Sequence, residues 1–367
     1  MFDRRLFLHI DWTMIFIVVI ISILGILSIY SATYPHQGNT KYLYLRQIYW
    51  VILGLALLFL VISFDYHLFI RLAYPFFVIC LLLLLLVILW GKLTSGSQRW
   101  LHLGFFSFQP SELTKLALIL ALTRFFTREG EEAEYTLRDL FIALLFLGLP
   151  VLLVFKQPDL GTAVLMVIIS ISLFAFIGFP LKAWVLLGGG AVVLTPFLWQ
   201  FLKEYQKKRL LAFINPDLDP LKTGYHIIQS KIAVGSGSFW GKGFLKGTQS
   251  QLHFIPEQHT DFIFSVFAEE WGFVGCLFLL FLMLLLISKG LKIALASRDR
   301  AGTLLAVGIT AMIFWQVFIN IGMVLGIVPV VGIPLPLFSY GGTSAITTMV
   351  GVGLLINIEM RRFLLSR

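Results

Sequence analysis

Residues 12–32 contain not one charged side chain, and nine further stretches of similar character follow along the chain. A run of roughly 20 mostly apolar residues is what a helix needs to cross the hydrocarbon of a bilayer. Repeated ten times, it leaves few alternatives, because in lipid every backbone N–H and C=O must find its partner inside the protein. The spans are read at about 12–32, 46–63, 69–90, 112–127, 140–155, 160–178, 182–202, 263–288, 301–326 and 342–358. Hydrophobic residues make up 59% of the chain and charged residues 13%. That balance excludes soluble globular, disordered and coiled-coil classes. The expected fold is an all-α polytopic membrane protein of about ten transmembrane helices, a single domain over residues 1–367.

The two cysteines, Cys80 and Cys276, lie in apolar runs, so neither a disulfide framework nor a cysteine-based zinc site is expected. Orientation follows from Lys and Arg in short loops. With the N-terminus inside, the inward segments carry twelve of them, including Arg4, Arg5, Lys289 and Arg361; the short outward loops carry five, Lys41, Arg46, Lys92, Arg99 and Lys156. Both termini are therefore expected in the cytoplasm of a cell whose plasma membrane holds the chain. The long loop at about 203–262 is then extracytoplasmic. The net charge of +9 would suggest nucleic acid in a soluble protein. Here it reads as basic loops facing membrane lipid, and no nucleic acid partner is expected.

The long loop holds eight Lys and Arg. Residues 226–234 place Ile227, Ile228, Lys231 and Ile232 on adjoining turns, which predicts an amphipathic helix lying on the outer membrane surface. Glycines recur between Gly235 and Gly247, so turns are expected there. The run Gly241-Lys242-Gly243 resembles a phosphate loop superficially but matches neither spacing that phosphate binding uses.

Ionisable residues at membrane depth mark candidate sites. Glu112 and Lys115 stand three residues apart, on one helix face. They form either a self-satisfied ion pair or part of a site, with Ser107 or Ser111 as the helix cap. Asp159, after Pro158, is a natural N-cap for the sixth span, and capping outweighs direct chemistry there. Asp261 opens the eighth span, and Thr260 is an alternative cap. A carboxylate at the apolar boundary has a raised pKa unless a cation lies near it, which suits a general base. Of Glu269 and Glu270, two turns deeper, at least one is expected to be a hydrogen-bonding acid inside the bundle. Three prolines between 329 and 336 prevent a continuous helix. That apolar segment is either a re-entrant groove wall or a rigid connection, with Asn320 and residues 339–344 supplying polar groups.

Several stretches together resemble the SEDS membrane proteins (shape, elongation, division, sporulation). They are Gln98-Arg99-Trp100, Phe108-Gln109-Pro110-Ser111-Glu112 with Lys115, Gln157-Pro158-Asp159-Leu160-Gly161-Thr162, Pro256-Glu257-Gln258-His259-Thr260-Asp261-Phe262 and Ser339-Tyr340-Gly341-Gly342. Tyr205-Gln206 with Arg209 belongs with them. Gln229-Ser230-Lys231-Ile232-Ala233 and Gly247-Thr248-Gln249-Ser250-Gln251 look like the elongation branch. The resemblance implies a peptidoglycan glycosyltransferase that polymerises lipid II at the outer face of the plasma membrane. It implies that Asp261 is the essential aspartate and that Glu112 and Lys115 are a buried acid–lysine pair. Arg99, Asp159, Arg209, Glu257, His259 and Ser339 are expected to support the site or bind substrate. A divalent cation, Mg²⁺ or Mn²⁺, and a class B penicillin-binding protein as partner are also implied.

The residue inventory suits that chemistry. An acceptor hydroxyl must lose a proton to a base such as Asp261. A diphosphate leaving group needs positive charge, from Arg99, Lys115, Arg209 or a metal, rather than an acid. The rival class is a lipid II flippase, since ten spans with charges inside also describe carriers. A boundary carboxylate and the lack of a clear inverted repeat favour the enzyme. A pure scaffold has no need of such a carboxylate.

Overall fold

The computed structural model describes residues 10–34, 42–94, 97–103, 106–127, 135–215, 223–252, 254 and 258–362. Helices α1 (Trp12–Thr33), α2 (Leu43–Ser63), the short α3 (Tyr66–Arg71) and α4 (Ala73–Trp90) come first. A small sheet of β1 (Lys92–Thr94), β2 (Ser97–Leu103) and β3 (Phe106–Phe108) precedes α5 (Pro110–Phe126), α6 (Leu137–Lys156), α7 (Leu160–Ile177) and α8 (Leu181–Phe201). The long loop forms α9 (Glu204–Ile214), α10 (Thr223–Ser236) and the single turn α11 (Thr248–Gln251). Helices α12 (Ile263–Ala296), α13 (Arg300–Val324) and α14 (Gly342–Arg361) complete the chain.

Among the described residues nine helices are long and apolar enough to cross a membrane. With α5, which has 17 residues, they fall on the ten expected spans. At a rise of about 1.5 Å per residue α5 is about 26 Å long. It is buried on nearly all sides, so neighbouring helices rather than lipid surround it. Helices α13 and α14 share that interior, with α14 packed along α2 and α13 along α12 and α7. Helix α8 is the opposite case, exposed along almost its whole length.

Three local expectations are corrected. The stretch holding Gln98-Arg99-Trp100, expected as an outer loop between spans, is instead strand β2: β1, β2 and β3 pair antiparallel, with Leu101 opposite Phe108 and Leu103 opposite Phe106. The third span starts later than 69, because Asp65 accepts a hydrogen bond from the His67 amide (2.9 Å) and caps the separate α3. Neither Ser107 nor Ser111 caps α5. Gln109 occupies that position without a side-chain cap, Pro110 starts the helix, and Ser111 is buried within it.

Helix α10, where an amphipathic helix is expected, has one face on protein and one exposed. It packs on α12, with Ile227, Ser230 and Ala233 turned inward. The Ser230 hydroxyl meets Ser265 Oγ and the Val324 carbonyl, both at 2.8 Å. Ile228 and Ile232 form the outer face. The three isoleucines are therefore split between protein and exterior, because residues three or four apart, not adjacent ones, share a narrow helix face.

Helix α12 is broken at Gly272, whose φ of 63° and ψ of −163° interrupt the ladder. Interrupted backbone at membrane depth persists only where other groups satisfy it. The glycine-rich segment supplies them. Lys242 and Gly243 donate their amides to the Glu269 and Glu270 carbonyls, each at 3.0 Å, and the Phe273 amide donates to the Ser238 carbonyl at 2.9 Å. The segment that looked superficially like a phosphate loop is thus a patch across a helix break. Glu269, wholly buried, accepts from Lys242 Nζ (2.7 Å), the Gln249 amide (3.0 Å) and Thr248 Oγ1 (3.1 Å). Glu270 accepts from Ser31 on α1. Both acids serve the fold.

Candidate active site

A cavity of about 350 Å³ opens where β2, the start of α5, α7, α9, the turn before α12 and the 332–344 segment converge. Arg99, Glu112, Lys115, Arg209 and Asp261 all line it, although they are spread over more than 160 positions of sequence.

Glu112 and Lys115 lie on one face of α5, three residues apart. Lys115 Nζ reaches both carboxylate oxygens, at 2.8 and 2.9 Å. The residues are 3% and 1% exposed, so this is a desolvated pair whose charges balance each other. It presents a neutral but strongly dipolar floor to the cavity.

Asp159 does cap α7, accepting from the Thr162 amide (3.2 Å) and hydroxyl (2.9 Å). It also meets Gln109 Nε2 (3.3 Å) and Arg99 Nη1 (3.6 Å), so the cap doubles as an anchor for an arginine of the wall. Arg99 Nη2 donates to the Pro158 carbonyl at 2.9 Å, and Tyr205 donates to the same oxygen at 3.1 Å. Arg209 sits over the Tyr205 ring, 5.7 Å from its centre. Burial and then the neighbouring Arg99 hold the Arg209 guanidinium below its ordinary pKa, with Asp261 and Asp159 opposing. At neutral pH an arginine keeps its charge. Two guanidinium groups that disfavour each other in one cavity wall make a site that an anion stabilises.

Asp261 is half-buried, within the turn that leads into α12. The N-cap of α12 is Phe262, whose side chain makes no cap hydrogen bond, so Asp261 precedes the cap position. Opposite it stands Gly332, with a φ of +73°; a Cβ there would lie 3.2 Å from Asp261 Oδ2. Only glycine combines that backbone with that approach.

His259 and Ser339 do not line the cavity. The His259 carbonyl accepts from the Tyr340 amide at 3.0 Å, and the two rings are 6.0 Å apart. Ser339 Oγ accepts from the Leu335 amide at 2.9 Å, and its carbonyl accepts from Gln47 at 3.4 Å. Both therefore shape the proline-rich segment behind the wall. Glu257 lies outside the described residues. The wall further contains Tyr340 and Ser344, from the 339–344 stretch expected to supply polar groups, with Trp100, Gln109 and Thr162 of the motif stretches, and Gly332, which had no expected role. Burial raises the pKa of the Tyr340 phenol, opposed by Arg46. The signal available for Gly332 was a glycine set among prolines, which marks a special backbone conformation.

The fold and this cavity define a multi-pass membrane protein with a charged pocket at one end of its bundle. The family model for cell cycle proteins, FTSW_RODA_SPOVE, matches residues 11–363. The chain belongs to this family, the SEDS membrane proteins, and to its RodA branch. It is 42% identical to the peptidoglycan glycosyltransferase MrdB of Escherichia coli (strain K12), over 98% of this chain and 96% of that protein. The peptidoglycan glycosyltransferase RodA of Treponema pallidum (strain Nichols) is 33% identical, over 96% of this chain and 98% of that one. A chain in a solved peptidoglycan synthase complex, described as coordinating polymerization and crosslinking, superposes with a TM-score of 0.82 at 35% identity, covering 96% and 98% of the two chains. The crystal structure of Thermus thermophilus rod shape determining protein RodA superposes with a TM-score of 0.72 at 32% identity, with the same coverage.

Proposed function

We propose that this chain is a peptidoglycan glycosyltransferase that polymerises lipid II into glycan strands at the outer face of the plasma membrane, during elongation and maintenance of rod shape. The observation that carries the reading is one cavity that collects a half-buried aspartate, two arginines and a buried acid–lysine pair. The named activity of relatives aligned over nearly the whole chain supports it.

In this reading Asp261 takes the proton from the acceptor sugar hydroxyl as that oxygen attacks the anomeric carbon of the donor. The new C–O bond forms as the bond to the diphosphate breaks, and the electron pair leaves on the phosphate oxygen. Attack in line on an α-linked donor gives a β-linked product. No acid is needed for a diphosphate, which contrasts with the two carboxylates of glycosidases. Arg99 and Arg209 stabilise the charge that develops on the leaving group. Lys115, neutralised by Glu112, shapes the floor and contributes its dipole.

A divalent cation fits this site as a companion of the substrate. Among the described residues no three His, Cys, Asp or Glu side chains converge on a point. Mg²⁺ is habitually held by one or two carboxylates together with substrate phosphates, and Asp261 lines the cavity in a position to be one of them. Such an ion would supply charge neutralisation at the diphosphate. The proposed partner is a class B penicillin-binding protein, a reading supported by the similarity to a chain in a synthase complex. The bias of Lys and Arg in the short loops supports a cytoplasmic position for both termini, with the 203–262 loop outside.

The test uses purified protein in detergent, where there is no membrane to cross, mixed with lipid II. The expected result is glycan chains resolved on a gel. Unchanged lipid II, combined with transport of the lipid across vesicles containing the protein, would establish the flippase instead.

A further inference from the structure

Asn320, on α13, is completely buried and does not line the cavity. Its side-chain nitrogen donates to two backbone carbonyls from separate segments, Asp261 O at 3.0 Å and Ile333 O at 2.7 Å. Two acceptors at one end of an amide decide which end is nitrogen. Both carbonyls belong to irregular backbone at the end of the bundle, where a helical partner is lacking and an unpaired group is costly. The second bond fastens the residue that follows Gly332. The Asp261 carboxylate approaches the position of an absent Cβ on that glycine to 3.2 Å. One amide therefore holds both the backbone of Asp261 and the wall against which its carboxylate rests.

We propose that Asn320 is a positioning residue for Asp261. It touches no substrate; it sets the distance between the Asp261 carboxylate and the Gly332 wall, and hence the direction in which the carboxylate faces the cavity. The inference rests on the reading of Asp261 as the base. A misplacement of about 1 Å at a reacting group can lower a rate about 100-fold. Leucine has nearly the shape of asparagine and neither donor nor acceptor, so Asn320→Leu removes both bonds and little volume.

The experiment measures polymerisation of lipid II in detergent by the full-length chain, with melting temperature recorded alongside. For Asn320→Leu we expect kcat to fall about 10- to 100-fold with KM for lipid II within about twofold of wild type. Gly332→Ala keeps Asn320 but presses a methyl group towards the carboxylate, and should give the same pattern; it decides the matter if Asn320→Leu is not recovered folded. A wild-type kcat, or a loss carried by KM instead of kcat, overturns the positioning role. Asp261→Asn, run in parallel, separates the two claims. If that variant polymerises normally, the base assignment fails and this inference with it. If it is inactive while Asn320→Leu and Gly332→Ala behave as wild type, only the positioning role fails.

Discussion

Asp261 and Glu269 lie eight residues apart on one continuous stretch, yet their surroundings are opposite. Glu269 is enclosed by donors: an ammonium, a hydroxyl and backbone amides of the segment that patches the break in α12. Asp261 faces a cavity whose other walls carry two guanidinium groups and an acid–lysine pair. Both are acids in a mostly apolar protein, and the local sequence separates them by depth alone, Asp261 at the apolar boundary and Glu269 two turns further in. The difference lies in what the rest of the chain brings to each. A carboxylate whose acceptor sites are spent on its own fold stabilises structure; the proposed base is turned to a cavity among cations.

Four substitutions sharpen or break this contrast, from the largest effect to the smallest. Asp261→Asn should lower polymerisation by more than about 10³-fold, on the scale of losing a transition-state contact and a base together, while the melting temperature stays within a few degrees of wild type. Glu112→Ala leaves Lys115 buried without its counterion and should cost about 3–5 kcal/mol of stability. A Glu112→Ala/Lys115→Ala double variant should recover part of that in thermal melts, since the uncompensated charge is gone. Glu269→Gln should cost about 2–3 kcal/mol, because Lys242 is partly exposed and can rehydrate once its charged partner is lost. In that variant activity per folded molecule should stay close to wild type; a large loss there would erase the distinction between the two acids. Arg209→Lys should lower kcat only about tenfold, the smallest of the four effects, because the charge is kept and the planar fork is lost.

Much of the fold was legible because a bilayer is an exacting solvent. Apolar runs of the right length have one common use, and all ten expected spans coincide with helices. The Glu112–Lys115 pair was legible from helical spacing, and the Asp159 cap from the preference of Asp for that position. Other features depend on distant partners and left weaker marks. The three strands at 92–108 are only three to seven residues long, too short for an alternating pattern to stand out from a loop. The break at Gly272 looks like one glycine in a long apolar helix, and only the presence of residues 237–243 alongside makes a break affordable. Ser339 sits in a motif with its neighbours, but its hydroxyl is spent on the Leu335 amide, and nothing in the local sequence separates a wall from its backing. The inward face of α10 is set by long-range contact too: serine at 230 turns inward where a second serine at 265 meets it.

The most direct test of the central claim compares wild type and Asp261→Asn at equal amounts of folded protein, measuring binding of labelled lipid II and the glycan formed from it in the same detergent. The account predicts similar binding by both and chains from wild type alone. Chains from Asp261→Asn at the wild-type rate would contradict it, because the cavity would then polymerise lipid II without the carboxylate around which the site is built.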